Sequence, residues 1–193
     1  MDLSETFWDS RYQNQDIGWD LGEVSLPIKT YIDQLKDTSL KILIPGAGNS
    51  YEAEYLFLNG FKNVCIADLS KTALDNFKNR VPSFPDENLL HINVFDMKET
   101  FDIIIEQTFF CALNPNLREA YAKKMHSLLN PNGKLVGLLF DKPLFTERPP
   151  FGGSKAEYVT YFKSYFDFDI FEASYNSMTS REDSELFIKL LKK

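Results

Sequence analysis

The sequence has no long hydrophobic run, no cluster of basic residues, and few cysteines or histidines. No apolar stretch approaches the roughly 18 residues that a transmembrane helix needs, so no membrane partner is expected. The first residues are acidic and lack the apolar segment of a signal peptide, which favours a cytoplasmic protein. Lysine and arginine number 21 against 28 aspartates and glutamates, for a formal net charge of −7. Since phosphate recognition needs a basic stripe, a nucleic-acid partner is not expected either.

The two cysteines and two histidines restrict the chemistry. Cys65 and Cys111 both lie in apolar runs, as reduced core residues of a cytoplasmic protein do. His91 begins a predicted strand and His126 lies on a predicted helix, so structural or exposed roles are expected for both. A histidine-rich metal site is excluded, and we expect no metal.

The remaining composition is that of one globular domain covering residues 1–193, which we expect to be a monomer. Apolar residues make up 44% and charged residues 25% of the chain, enough for a full core. Residues 1–27 differ from the rest, because they are aromatic and polar with no sustained period. We interpret this segment as a lid that orders over a bound cofactor.

From residue 27 onward, apolar strands alternate with amphipathic helices. This pattern predicts an α/β fold: a Rossmann-like three-layer sandwich around a mostly parallel seven-stranded sheet, closed by an antiparallel C-terminal hairpin. The predicted strands cover residues 40–44, 63–67, 89–94, 101–105, 135–140, 166–174 and 185–191. Four helices are predicted: one begins at Pro27, one covers residues 50–59, one begins after Ser70 and one covers residues 116–129. A turn is predicted at residues 130–133.

A glycine turn and an acidic residue mark the carboxyl ends of the first two strands. Gly46, Ala47 and Gly48 follow the first strand, and the missing Cβ atoms let a ligand approach the backbone. Asp68 ends the second strand, where a carboxylate can accept both hydroxyls of a ribose. A dinucleotide site would carry a third glycine at position 51, which is tyrosine here, so a phosphate-free cofactor, S-adenosylmethionine, is favoured. The alternative is an ordinary turn that contains two glycines.

Two further strand ends supply candidate ligands. Four residues at the end of the third strand suit the adenine: Asn93, Val94, Phe95 and Asp96. Asn93 or Asp96 would reach the edge of the base, while Val94 or Phe95 would pack on its face. Glu106 and Gln107 end the fourth strand and are expected to face the methionine end of the same cleft. The alternative in each case is an ordinary hydrophilic strand end.

Together, these and other motifs resemble a known family. The motifs are Phe-Trp-x-x-x-Tyr at 7–12, Gly-Trp-Asp at 18–20, Ile-Pro-Gly-Ala-Gly-Asn at 44–49, Asp68, Phe-Phe-Cys-Ala-Leu-Asn-Pro at 109–115 and Pro-Pro-Phe at 149–151. From Phe7 to about Phe151 the chain resembles the thiopurine S-methyltransferase family of class I S-adenosylmethionine-dependent enzymes. The Phe-Phe-Cys-Ala segment and the length are most similar to its halide, thiocyanate and thiol methyltransferase branch.

The resemblance implies a role for each matching position. Trp8, Tyr12 and Trp19 would cover the cofactor and the substrate pocket, and Leu69 would lie beside the adenine. The substrate pocket would be lined by Trp8, Phe109, Phe110, Phe140 and Phe151. Hydrophobic core is an equally good interpretation of Phe109, Phe110 and Phe151. Tyr12 is the one candidate polar catalytic group near a nucleophile.

Two positions depart from the family pattern. Glu106-Gln107 replaces an Asp-Arg pair of the thiopurine enzymes, and Phe140 replaces a tyrosine. An arginine and a hydroxyl that could contact an anionic acceptor are thereby missing. The sequence predicts methyl transfer to a small soft nucleophile, which is a thiol, thiopurine, thiocyanate or halide. The alternatives are a non-catalytic S-adenosylmethionine-binding module and an NAD-type oxidoreductase.

Overall fold

The computed structural model describes residues 2–193 and contains one seven-stranded sheet. The strands are β1 (Ile42–Pro45), β2 (Val64–Asp68), β3 (Leu89–His91), β4 (Phe101–Gln107), β5 (Leu129–Phe140), β6 (Phe166–Ala173) and β7 (Glu185–Lys192). Their order across the sheet is β3–β2–β1–β4–β5–β7–β6. Strands β1 to β5 pair in parallel, whereas β7 is antiparallel to both β5 and β6. The predicted sheet with its reversed C-terminal hairpin is confirmed.

Helices cover both faces of this sheet. They are α1 (Glu5–Gln13), α2 (Leu26–Ile32), α3 (Tyr51–Leu58), α4 (Lys71–Arg80), α5 (Arg118–Ser127) and α6 (Lys155–Phe162). One buried core joins α2, α3 and α4 to the sheet, and a second joins α5 and α6 to the opposite face. Neighbouring residues of β1 divide between the two cores, with Ile42 and Ile44 in the first and Leu43 in the second. This is the predicted three-layer sandwich.

The order of the strands reverses at β1. Strand β2 pairs with one edge of β1 and β4 pairs with the other, so the connections leaving β1 and β4 diverge. In open α/β sheets a ligand binds outside the carboxyl ends of the strands at such a point. The ends of β1, β2 and β4 are therefore where a site is expected.

The structure departs from the predicted elements at the N-terminus, in the third strand and after β5. Helices α1 and α6 were not predicted, because each buries only one or two residues and so shows no apolar stripe. The third strand ends at His91 rather than at residue 94, since the Asn93 side chain accepts a hydrogen bond from Phe95 N (3.0 Å) and starts a 3₁₀ turn.

The predicted turn at residues 130–133 lies within the bounds of β5. The pairing with β4 passes from Phe101 opposite Leu129 to Ile103 opposite Lys134. Four residues of β5 therefore stand against one residue of β4, and the turn sequence forms a bulge.

Candidate functional site

A cleft of about 980 Å³ lies at the carboxyl ends of the central strands. Its wall combines the N-terminal segment, the glycine turn, the ends of β2, β4 and β5, and the loop that follows β5. Most of the predicted site residues line it: Trp8, Tyr12, Trp19, Gly46, Ala47, Gly48, Asp68, Leu69, Asn93, Val94, Phe95, Gln107, Phe109 and Phe140. The chain thus brings together side chains from positions 8 to 140 in one cavity.

Asp68 is the anchor between the glycine turn and the start of α4. Its Oδ2 accepts a hydrogen bond from Gly48 N (2.8 Å), and its Oδ1 accepts one from Ser70 N (2.7 Å). Burial raises the pKa of the carboxyl, while these backbone N–H groups act in the opposite direction. Each carboxylate oxygen has a second lone pair, so Asp68 retains acceptor capacity for the two hydroxyls of a ribose.

The glycine turn admits two aromatic side chains. Gly46 and Gly48 have φ values of +56° and +55°, in the left-handed region that glycine enters freely. A Cβ on Gly46 would come 2.0 Å from the Phe109 ring, and one on Gly48 would come 2.5 Å from the Tyr12 hydroxyl. The sequence predicts that a ligand approaches the backbone at these glycines. In the structure the side chains of Phe109 and Tyr12, which also line the cleft, occupy the space next to the two glycines.

Helix α1 closes one side of the cleft and attaches to α4. The Asp9 carboxylate accepts hydrogen bonds from Ser70 Oγ and Thr72 N, both at 2.8 Å. Asp9 therefore satisfies a backbone N–H in the first turn of α4 from outside that helix. His91 and Glu5 add a second contact, at 3.3 Å, between α1 and the end of β3.

The Gly-Trp-Asp segment makes further attachments. Asp20 accepts a hydrogen bond from the Asn49 side chain, directly after the glycine turn. The Trp19 indole donates to the Tyr12 hydroxyl (3.3 Å), and the Trp19 carbonyl accepts from Arg181 (2.6 Å). These contacts attach the Gly-Trp-Asp segment to Asn49, after the glycine turn, and to Arg181, which precedes β7.

Tyr12 is a neutral phenol in this site. Burial and the negative charge of Asp68 raise its pKa well above its ordinary value. The hydroxyl accepts from Trp19 and lies against Gly48. It is therefore suited to hydrogen bonding, and it is a poor general base near neutral pH.

Asp96, a candidate for the adenine edge, is exposed and lies off the cleft wall. Three more predicted site residues do not lie on that wall: Glu106, Phe110 and Phe151. The Glu106 carboxylate points inward, where it accepts from Phe109 N (2.7 Å), Phe110 N (2.9 Å) and the Tyr121 hydroxyl. Burial raises its pKa to about 7. Glu106 is thus a cap for the turn that presents Phe109 rather than a ligand at the methionine end.

The other two are core residues. The Phe110 ring lies 5.2 Å from both the Tyr121 and Tyr158 rings, on the α5 and α6 side of the sheet. Phe151 is also buried, with its N–H donating to Cys111 O (2.7 Å). The structure thus places Phe110 and Phe151 in the core, while Phe109 lines the cleft.

The cleft also contains charged residues that the sequence did not indicate, including Glu52 and Arg181. Both are buried, with 5% and 7% of their surface exposed. Arg181 pairs with Glu185 (3.2 Å), and its guanidinium lies 5.4 Å from the centre of the Phe140 ring. Lys142 lies 5.6 Å from the same ring. Arg181 comes from the polar stretch before β7, and only the folded chain reveals that this stretch reaches the cleft.

Polar atoms of the wall fit a cofactor without phosphate. Within the described chain, residues 2–193, three buried atoms of cleft residues have no hydrogen-bond partner: Asn49 Oδ1, Ser50 Oγ and Gln107 Oε1. Such atoms are costly unless a ligand completes them. The wall near the turn offers carboxylates and acceptor oxygens, which suits a ribose and a cationic amino acid tail. Among residues 2–193 no group of three or more His, Cys, Asp and Glu side chains is arranged to hold a metal ion.

The fold and site define a class: a parallel sheet with a reversed last strand, a glycine turn after β1 and an acid ending β2 make a class I methyltransferase. No helix of the described chain is long and apolar enough to cross a bilayer.

Two solved structures share the fold. Burkholderia thailandensis 1,6-didemethyltoxoflavin-N1-methyltransferase superposes with a TM-score of 0.81 at 14% identity, covering 98% of this chain and 87% of that one. A TehB-like methyltransferase from Corynebacterium glutamicum gives 0.69 at 18% identity, covering 98% of each chain.

The family model for thiopurine S-methyltransferase matches residues 3–188, so the chain belongs to the thiopurine S-methyltransferase family. It is an S-adenosylmethionine-dependent methyltransferase. It is 29% identical over 156 residues to probable thiol methyltransferase 2 of Arabidopsis thaliana, spanning 78% of this chain and 69% of that protein. Thiocyanate methyltransferase 1 of the same plant is 27% identical over 154 residues, spanning 77% and 67%. Thiopurine S-methyltransferase of Francisella tularensis is 21% identical over 187 residues, spanning 86% and 83%.

Proposed function

We propose that this enzyme transfers the methyl group of S-adenosylmethionine to a small soft nucleophile. The preferred candidate acceptor is the sulfur of a thiol or of thiocyanate, and thiopurines and halides are further candidates. The names of the plant relatives support a thiol or thiocyanate acceptor. The observation that carries the proposal is the buried guanidinium of Arg181 beside Phe140 in an aromatic part of the cleft. The arginine that the thiopurine enzymes carry at the end of β4 is replaced by Gln107, and Arg181 supplies a cation from a different element.

Arg181 is suited to an anionic acceptor. Its hydrogen bonds go to Glu185 and to the Trp19 carbonyl, and a guanidinium has five N–H donors in all. The residue is 7% exposed, and at such a buried position an electrostatic attraction is stronger than in water. An acidic protein has no global field to attract anions, so the capture of a thiolate or thiocyanate must be local.

The side chains of the cleft offer no strong base. Burial raises the pKa of the Cys111 thiol to about 12 and also raises that of Tyr12. The cofactor supplies an electrophilic methyl group on a sulfonium, and a soft anion attacks such a carbon with little help from a base. The protein's contribution is to hold the acceptor in line and exclude water, which Phe109, Phe140 and the N-terminal segment do.

The N-terminal segment, residues 1–27, acts in this proposal as the lid, with Met1 outside the described residues. Trp8, Tyr12 and Trp19 line the cleft, and Asp9 and Asp20 fasten the segment to the start of α4 and to Asn49. Opening would break these contacts together with those of Glu5 to His91 and of the Trp19 carbonyl to Arg181. We further propose that the enzyme works as a monomer of one domain in the cytoplasm; its two free buried cysteines support that compartment.

An acceptor panel tests the proposed function. The enzyme is incubated with S-adenosylmethionine and, separately, a small thiol, hydrogen sulfide, thiocyanate, iodide and a thiopurine, and release of S-adenosylhomocysteine is followed. Turnover on a sulfur acceptor is expected, and Arg181→Gln is expected to raise the KM for the anionic acceptors. Binding of S-adenosylhomocysteine without turnover on any of them would instead identify a non-catalytic binding module.

A further inference from the structure

We infer that Glu52 binds the ammonium group of the cofactor's methionine tail, and so makes the site selective for a ligand with an intact amino acid. This inference rests on the proposed function, because it assumes that the cleft holds S-adenosylmethionine. Glu52 lies in the first turn of α3, four residues after Gly48, and is one of the residues that line the cleft. The resemblance to known enzymes assigned it no role.

The first observation is a buried carboxylate without an ion-pair partner. Glu52 Oε1 accepts one hydrogen bond, from Ser25 N (3.1 Å), and 5% of the residue is exposed. Burial raises its pKa, while the Ser25 N–H and the charge of Arg181 act in the opposite direction. Among residues 2–193 no salt bridge to Glu52 forms, and Arg181 makes its own salt bridge to Glu185. A buried carboxylate without a cation is costly, and a cationic ligand removes that cost.

The second observation is the kind of polar atom beside it. Asn49 donates its Nδ2 to Asp20, which leaves Oδ1 as a free acceptor, and that atom is buried without a partner. Ser50 Oγ is likewise buried and unpartnered. Asn49, Ser50 and Glu52 follow one another along the cleft wall and offer acceptors. An ammonium group has three donors and no acceptor, and is the complement of such a set.

The third observation is the position of Glu52 relative to the ends of β1 and β2. Asp68 ends β2 and serves the ribose, whereas α3 begins at the end of β1, the next strand toward β4. The last residues of β1, Ile44 and Pro45, carry no charge. An acidic partner for the tail must therefore come from another element, and Glu52 is the buried carboxylate that α3 brings to this end.

A ligand pair that differs only in the ammonium group tests the inference by calorimetry. S-adenosylhomocysteine is compared with its desamino analogue, in which hydrogen replaces the amino group, on the wild type and on Glu52→Gln. The amide keeps an oxygen for Ser25 N and loses the charge. Wild type is expected to prefer S-adenosylhomocysteine by about 10- to 100-fold, the size of a charge-assisted hydrogen bond. Glu52→Gln is expected to lose most of this preference while binding the desamino analogue as wild type does.

The matched control is Glu54→Gln, on the same helix, whose carboxylate pairs with Arg80 (2.5 Å) outside the cleft wall. It should leave both affinities unchanged. If Glu52→Gln weakens the two ligands equally, Glu52 only fastens Ser25 and the inference is wrong. If that variant does not fold, the wild type still decides, because equal affinity for the two ligands would also refute it. Failure of the wild type to bind S-adenosylhomocysteine at all would instead contradict the proposed function.

Discussion

The ring of Phe109 lies directly against the backbone of Gly46. A Cβ on Gly46 would come 2.0 Å from Cδ2 of that ring, which is closer than atoms can approach. The turn after β1 and the aromatic wall after β4 are therefore one packed unit. Thr108, which precedes the ring, has a φ of +59°, and Glu106 holds Phe109 N at 2.7 Å, so the ring's position is fixed from its own side as well.

Gly46→Ala is expected to destabilise the protein and to weaken binding of S-adenosylhomocysteine. The positive φ and the overlap with Phe109 together predict a loss of about 2–4 kcal/mol in the free energy of unfolding. Urea denaturation measures this. Adding Phe109→Ala should recover part of the loss, because the overlap disappears while the strained φ remains. Gly18→Ala is the control for stability, since in the described part of the chain no atom beyond its two neighbours lies within 4 Å of its Cβ position. Strictly additive effects of Gly46→Ala and Phe109→Ala would show that the two residues do not interact.

Asp68→Asn is expected to reduce the affinity for S-adenosylhomocysteine by about 10- to 100-fold, since hydrogen bonds to a charged acceptor are lost. The amide can still accept from either Gly48 N or Ser70 N, so the fold should persist. Titration calorimetry gives the affinity. Asp86→Asn, at an exposed site that pairs with Lys78, is the matched control. An unchanged affinity in the Asp68 variant would remove Asp68 from the ribose site.

Asp9→Ala is expected to release α1. The substitution removes the acceptor for Ser70 Oγ and Thr72 N, at a cost of about 1–2 kcal/mol. Hydrogen exchange at residues 5–13 should become faster, and Asp75→Ala, which breaks an exposed pair with Lys71, should not change it.

The lid has its own test in the wild type. Because residues 2–27 close over the cofactor in the proposal, S-adenosylhomocysteine should slow their hydrogen exchange. The same protection pattern with and without the ligand would contradict a lid, even if Asp9 fastens α1 as described.

Glu106→Gln is expected to change how stability depends on pH. Burial raises the pKa of Glu106 from 4.5 to about 7, so between these values the folded protein binds a proton that the unfolded chain does not. This group therefore makes the wild type more stable as the pH falls from about 7 to 4.5, by up to about 3 kcal/mol. The glutamine variant should lack this contribution. Denaturation curves at pH 5.0 and 7.5 measure it, and parallel pH dependences of the two proteins would refute the buried-acid account.

The sheet and most of the site were predictable because their signals are local. Apolar strands alternating with helices specify the order of layers, and Gly46, Gly48 and Asp68 mark the ends of two strands by residue type alone. Helix α1 could not be predicted in this way, because it buries Tyr12 alone and is held by Asp9 contacts to residues more than 60 positions away.

The placement of some predicted site residues away from the cleft wall has a common physical cause. The type of a residue indicates whether its side chain suits a pocket. It does not indicate whether the side chain points into the cleft or into the core. Glu106 turns inward to cap its own loop, and Phe110 packs against α5 and α6. Conversely, Glu52 lines the cleft from helix α3, and Arg181 lines it from the polar connection before β7. No motif or spacing in the sequence indicates that either residue belongs to the site.

Methyl transfer to sulfur is tested most directly with S-adenosylmethionine that carries a deuterated methyl group. The wild type and Asp68→Asn are each incubated with this donor and a small thiol, and the products are identified by mass spectrometry. The expected product is a thioether whose new S-methyl group carries all three deuterium atoms, formed by the wild type and much more slowly by the variant at low donor concentration. Binding of the donor with no labelled product from any thiol, thiocyanate, iodide or thiopurine would contradict it.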